Sequence, residues 1–217
     1  MKTKNQEQIY ANRLHAVLSH IHAHLGDTLT VDGLAKIAHF STYHFHRIFG
    51  SIVGESLYAY IHRQRLSKAA RLLKNKPSVS ITQTAFACGF SSPENFSRQF
   101  KRQFGFSARD YRTNAELKNS KIYQVPDKNG FYYVFEESRK AERPNFEVEL
   151  KELPTRKVAY IWGVYGEDGS ALVQAYLDLM EWAKAHSEYN PEMLRIGRSW
   201  DDFEITPSAK FRYDQCI

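Results

Sequence analysis

The sequence predicts two domains: an all-α front of about seven short helices, and an α+β back built from an antiparallel sheet and one helix. Three observations carry that prediction. Residues 1–113 hold 16 Lys and Arg against 6 Asp and Glu, a balance of +10, while the remainder holds 14 against 18, or −4. A pattern of aromatic, arginine, glycine and cap positions occurs twice, about 50 residues apart. After about residue 114 helical periodicity gives way to alternating and broken segments.

Taken in order, residues 6–25 place Leu14, Val17, Leu18, Ile21 and Leu25 on one helical face, with Gly26 as a C-terminal stop. Thr30 caps a short helix carrying Leu34, Ile37 and Ala38, and Ser41 caps the next, running to about Ile52. Ser56 caps a longer helix that ends near Asn75, before Lys76-Pro77. Ser80 then opens a short helix, Gly89 turns the chain, and Ser92 with Pro93 at the first helical position opens another. Gly105 ends it, and Ser107 caps a last short helix through Tyr111.

The second half of this series repeats the first. At an offset of 50, Ala35, Ala38, Phe40 and Ser41 match Ala85, Cys88, Phe90 and Ser91. After one inserted residue, Phe45, Arg47, Phe49, Gly54, Ser56 and Tyr60 match Phe96, Arg98, Phe100, Gly105, Ser107 and Tyr111. Each copy reads as helix, tight turn, helix, a pair too short to bury its faces without a third helix across it. Residues 6–25 and 57–75 supply that packing. The first domain is therefore expected at 1–113, a connection with partial structure at 114–145, and the second domain at 146–217. Within the latter, "FEVELKEL" and "KVAYIWGVYG" read as strands, 170–186 as an amphipathic helix, and "LRIGRSWDD" and "AKFRYDQCI" as two more strands.

Composition bounds the function. The 217 residues are 42% hydrophobic and 14% aromatic, enough for packed cores. No apolar run approaches the roughly 18 residues that cross a bilayer, and the polar N-terminus lacks a secretory core, so no membrane partner and a cytoplasmic, nucleoid-associated location are expected. Cys88 and Cys216 make neither a disulfide framework nor a four-ligand zinc site. His20, His22 and His24 do not share one helix face, so no metal is assigned. No cofactor is expected, and with no phosphate loop, nucleophile elbow or paired carboxylates the chain does not read as an enzyme.

The basic front points to a polyanion. In the helix from Thr42, Phe45, Ile48, Phe49 and Ile52 form the inward stripe and Thr42, Tyr43, His46, Arg47 and Gly50 the outward one. In the second copy Phe96, Phe100 and Phe104 turn inward, while Pro93, Glu94, Ser97, Arg98 and Lys101 turn outward, with Asn95 near the start. Arg47 and Arg98 sit at equivalent places, and each can present a fork to guanine O6 and N7. The alternative for each is a phosphate contact or a solvated charge. Two such helices fit successive major grooves about 34 Å apart, on DNA bent at a cost of about 1–6 kcal/mol. Arg63, Arg65, Lys101 and Arg102 are candidates for phosphate neutralisation, as are Lys68, Arg71, Arg109 and Arg112.

The stretches "TVDGLAKIAHFSTYHFHRIFGSIVGESLYAYIHRQRLSKAARLL" and "SITQTAFACGFSSPENFSRQFKRQFGFSARDYR" resemble the AraC/XylS-type DNA-binding domain, a tandem helix-turn-helix module of bacterial regulators. Carried over by position, the resemblance implies base contacts at Thr42, Tyr43, His46 and Arg47, then at Glu94, Asn95, Ser97 and Arg98. Pro93 departs from the polar residue some members place there. The resemblance also implies double-stranded promoter DNA and RNA polymerase as partners. "FEVELKELPTRKVAYIWGVYG" and the terminal "KFRYDQCI" are similar to a gyrase-inhibitor-like effector domain in a Rob-like arrangement, of which only about the first repeat is present. It implies a small hydrophobic or cationic effector, for which Trp162, Tyr165, Tyr176 and Trp182 are candidate walls. The alternative is a constitutive regulator whose back half is only a protein-interaction module.

Overall fold

The computed structural model describes residues 4–114, 120–127, 130–137, 155, 157–164, 169–202, 205–206 and 210–217. The chain forms two compact units, Met1–Lys118 and Asn119–Ile217.

The first unit is helical: α1 (Lys4–Ala23), α2 (Val31–Ile37), α3 (Thr42–Val53), α4 (Leu57–Asn75), α5 (Ile81–Ala87), α6 (Pro93–Phe104) and α7 (Ala108–Thr113). Every helix of this unit after α1 starts on a hydroxyl. Thr30 accepts from the Gly33 amide at 3.1 Å, Ser41 from His44 at 3.4 Å and Ser56 from Ala59 at 3.2 Å. Ser80, Ser92 and Ser107 accept from Gln83, Asn95 and Asp110 at 3.0 to 3.1 Å, and the first and last of these close a reciprocal capping box. Each cap contributes about 1 kcal/mol. Gly54 and Gly105 end α3 and α6 in the left-handed conformation, at φ 77° and 85°. Gly26 has a different reason to be glycine. Its φ is not positive, and a Cβ there would lie 3.0 Å from the Ala87 carbonyl.

The two halves are built alike. Phe45 meets Phe49 at 5.7 Å and Phe96 meets Phe100 at 5.5 Å; Phe49 meets Tyr60 at 5.7 Å and Phe100 meets Tyr111 at 5.9 Å. The duplication also runs upstream into the packing helices, at an offset of 52. Leu14, Val17, Leu18 and Ile21 of α1 correspond to Leu66, Ala69, Ala70 and Leu73 of α4, and all eight are buried. Tyr10 packs edge-on against Phe40 at 5.1 Å, as His62 does against Phe90 at 5.9 Å. Arg13 donates to the His39 carbonyl in the first turn, and Arg65 lies against Gly89 in the second. With α4 packed on α3, α5, α6 and α7, one helix belongs to both halves and fixes them together. Each buried Leu or Phe contributes about 1.5–3 kcal/mol, so the aromatic pairs are the main source of cohesion.

In the second unit, residues 120–127 and 130–137 supply the partial structure expected of the connection. They carry an antiparallel hairpin of β1 (Ser120–Asp127) and β2 (Gly130–Glu137), with Ile122 opposite Phe135 and Asp127 opposite Gly130. The apolar run Phe131–Phe135 falls in β2, while Pro126 in β1 interrupts any strand pattern in the sequence. A two-stranded hairpin consists of edges, where a residue without an amide hydrogen is tolerated.

The rest is β3 (Tyr160–Val164), α8 (Ser170–Ala185), β4 (Ile196–Ser199) and β5 (Arg212–Cys216), the sheet running antiparallel in the order β3-β5-β4. Trp162 and Arg198 both stand opposite Asp214, one on each side of the central strand. Helix α8 packs on β3 and β5 and buries Ala175, Leu179, Met180 and Ala183. Asp201 holds the start of β5 by accepting from the Arg212 amide at 2.9 Å and pairing with its guanidinium at 3.4 Å. The expected strand at 146–153 lies outside the described residues. A helical unit followed by a small α+β part thus agrees with the predicted class.

Candidate nucleic-acid interface

Helices α3 and α6 present the faces that their sequence periodicity predicts, except that Ile52 is half-buried and Val53 takes its place at the end of the α3 stripe. Phe45, Ile48, Phe49 and Val53 of α3 are buried, while Thr42, Tyr43, His46 and Arg47 are exposed, Tyr43 to 81%. Phe96, Phe100 and Phe104 of α6 are buried, and Glu94, Ser97, Arg98, Lys101 and Arg102 are exposed. Asn95 and Pro93 are half-buried at the helix start. Glu94 lies in the first turn, where the helix dipole favours a carboxylate.

Local hydrogen bonds decide what each side chain has left to offer. Arg47 has no hydrogen bond or ion pair among the described residues, so its whole fork faces solvent. Arg98 donates from Nη2 to Asn95 Oδ1 at 3.4 Å, which lays the guanidinium along the helix and leaves the Asn95 amide hydrogens uncommitted. Thr42 donates its hydroxyl proton to Asp32 Oδ1 at 2.7 Å, tying α3 to the first turn of α2 and leaving the oxygen only as an acceptor. Aspartate at position 32 was not legible as a partner, because its link to Thr42 spans the turn between two helices.

Two of the four phosphate candidates have other work. Arg63 sits in a nearly buried, two-point ion pair with Glu55, Nη2 to Oε1 at 2.7 Å and Nε to Oε2 at 3.4 Å, with its guanidinium over the Tyr60 ring. Arg65 donates from Nε to the Leu25 carbonyl at 2.9 Å and from Nη2 to the Asp27 carbonyl at 2.8 Å, fastening α4 to the loop after α1. Both are structural cations whose partners lie 8 and about 40 residues away. Arg112, similarly, donates to the Val79 carbonyl at 3.3 Å. Lys101 and Arg102 stay on the exposed side of α6.

Buried titratable groups flank the second turn. Burial, helped by Arg102 and Arg65, holds the His62 imidazole below its ordinary pKa. Burial pushes the Cys88 thiol up to about 11, against the pull of Lys68 and the neighbouring arginines. Cys88 is therefore a packing residue.

In the second unit three of the four effector candidates lie among the described residues. Trp162 is half-buried on β3 with its Nε1 lacking a hydrogen-bond partner, and Tyr176 is half-buried on α8. Trp182 is 41% exposed and stacks on His186 of the same segment at 4.6 Å. Tyr165 lies outside the described residues. Among the described residues no cluster of His, Cys, Asp or Glu could hold a metal ion, and no helix is long and apolar enough to cross a membrane.

Residues 34–114 match the family model described as a helix-turn-helix domain. Over 102 residues the chain is 35% identical to the HTH-type transcriptional activator RhaS of several Escherichia coli strains, the match covering 47% of this chain and 36% of the relative. The helical unit is thus similar to a helix-turn-helix domain from α2 to its end. The chain spans about a third of the length of the curated relatives it matches, so the likeness is that of one domain. Among solved structures, a transcriptional regulator with an AraC-type DNA-binding domain from Chromobacterium violaceum is 30% identical, with a TM-score of 0.44 and coverage of 47% of this chain and 90% of that one. The DNA-binding domain of AdpA, a global transcriptional factor solved with a target DNA, is 33% identical, with a TM-score of 0.41 and coverage of 48% and 88%. Within the matched stretch lie the two outward helices α3 and α6, each positioned by a hydroxyl cap, a left-handed C-terminal glycine and a shared packing helix.

Proposed function

We propose that this protein is a sequence-specific regulator of transcription that sets α3 and α6 in successive major grooves of promoter DNA. The observation that carries the reading is the pair of equivalent polar faces, with Arg47 and Arg98 exposed on helices whose opposite sides are buried aromatic stripes. Arg47 and Arg98 fork onto guanine edges; Thr42, Tyr43 and His46, and Glu94, Asn95 and Ser97, read the flanking positions; Lys101 and Arg102 neutralise phosphates. That RhaS is a transcriptional activator supports the regulatory role, and RNA polymerase is the partner such a role requires. The second unit, on this reading a partial gyrase-inhibitor-like domain, senses a hydrophobic or cationic compound through Trp162 and Tyr176.

The test uses DNA selected by the full chain from a random pool. Arg47→Ala and Arg98→Ala each cost about 1–3 kcal/mol on the selected site and relax specificity at different base pairs. Equal losses on random DNA would reduce both to phosphate contacts and refute the reading.

A further inference from the structure

A cleft of about 590 Å³ opens in the helical unit, between the loop after α1, one face of α4, the end of α5 and the start of α6. That is the size range of small-molecule sites. Its walls are aromatic. Tyr58 stacks on His62 at 5.9 Å, His62 meets Phe90 edge-on at 5.9 Å, and Phe86 flanks the opening. Tyr58 is 76% exposed and Phe86 52%. Among the described residues of this unit the large exposed apolar side chains are Ile9, Tyr43, Tyr58 and Phe86, so half of them border one concavity. Solvated helix faces have no use for such rings, whereas a bound apolar body would cover them.

Arg65 and His62 are the basic side chains of the cleft wall. Arg65 uses Nε and Nη2 on the Leu25 and Asp27 carbonyls, and its Nη1 has no acceptor among the described residues. His62 Nε2 is buried without a hydrogen-bond partner. With its basicity depressed by burial and by Arg102 and Arg65, His62 is a neutral imidazole with one bond still to make. The single carboxylate along the wall, Asp27, is held by His24 at 2.8 Å. Arg65 therefore sets a positive charge, with Nη1 left to donate, beside the flat rings of Tyr58, His62, Phe86 and Phe90. The far end of the cleft is Asn95, whose side chain holds Arg98.

The geometry points to a binding site for a small, flat carboxylate in this cleft, its apolar ring against Tyr58, His62, Phe86 and Phe90 and its carboxylate on Arg65. A DNA phosphate would also satisfy Arg65 but would leave the exposed rings uncovered. The site does not depend on the DNA reading.

The test is calorimetric titration of the full chain with 1-naphthoate, and with 1-naphthylmethylammonium as a cation of equal size. Naphthoate should saturate one site and bind at least tenfold more tightly than the cation. Tyr58→Ser with Phe86→Ser, both at exposed positions, should weaken it at least tenfold while the circular dichroism and unfolding midpoint match the parent; His62→Gln alone should weaken it severalfold. Absence of saturable binding up to millimolar naphthoate, equal binding of the cation, or an affinity unchanged in the double variant would overturn the proposal. So would inorganic phosphate binding as tightly as naphthoate, since the rings would then contribute nothing.

Discussion

Replacing Gly89 by alanine tests the packing behind the second recognition helix. Gly89 holds φ at +79°, which costs an L-residue about 1–2 kcal/mol. Its new Cβ would stand 2.6 Å from the Leu25 carbonyl oxygen and 2.8 Å from the Arg65 guanidinium carbon. The carbonyl cannot swing aside, because it accepts from Arg65 Nε at 2.9 Å. Relief means displacing that guanidinium and weakening a charged hydrogen bond worth about 1.5–3 kcal/mol. Together the terms give a loss of about 2.5–5 kcal/mol, a large share of a typical domain's roughly 5–15 kcal/mol. Urea unfolding followed at 222 nm reads the loss globally. The rate of Cys88 alkylation reads it locally, since Cys88 precedes the turn and is fully buried. The first copy supplies the control. His39 occupies the same turn at φ 51° without a glycine, and Arg13 reaches its carbonyl at 3.1 Å. His39→Gly trades relief of left-handed strain against chain entropy and should change stability by less than about 1 kcal/mol. A loss below about 1 kcal/mol for Gly89→Ala would show that Arg65 and the Leu25 carbonyl do not fix this turn.

Arg63→Ala strands Glu55 in a site only 9% exposed and should cost about 3–5 kcal/mol in urea, yet leave the salt slope of DNA binding unchanged; a slope flattened by one unit would make Arg63 a phosphate contact after all. The folded chain holds His62 below its ordinary value of 6.5, so the unfolded chain binds that proton more readily. Stability from the neutral imidazole is complete above pH 6.5 and is lost as pH falls below it, toward the folded value. Unfolding midpoints between pH 7.5 and 5 should therefore fall less steeply for His62→Leu than for the parent, and equal slopes would refute the assignment. With its pKa pushed up to about 11, Cys88 should resist iodoacetamide in the native chain at pH 8 and react on unfolding; native labelling at the unfolded rate would contradict its burial.

The parts of this fold that were legible in the sequence are those made by neighbours in the chain. Hydroxyl caps bond three residues ahead, so Ser41, Ser56, Ser80, Ser92 and Ser107 announce their helices locally. The inward phenylalanines of α3 and α6 follow from helical spacing alone. What was not legible depends on distant partners. Arg63 and Arg65 look like any exposed cations until Glu55 and the Leu25 and Asp27 carbonyls are beside them. The correspondence of α1 with α4 is hidden because Tyr10 and His62 do the same packing with different chemistry. Gly26 looks like a helix stop but yields space to the Ala87 carbonyl, 61 residues further on. The cleft bordered by Tyr58 and Phe86 assembles from four segments, none of which signals a concavity by itself.

The claim on which the account rests is that one polypeptide reads two consecutive grooves, and changing the distance between its half-sites measures this directly. Full chain is bound to its selected DNA, and to the same DNA with five base pairs inserted between the halves. Half a turn of extra duplex carries one groove to the opposite side, so affinity should drop to that of an isolated half-site, and Arg98→Ala or Arg47→Ala should lose its effect on the inserted DNA. Unchanged affinity after the insertion, with both variants still impaired, would contradict it.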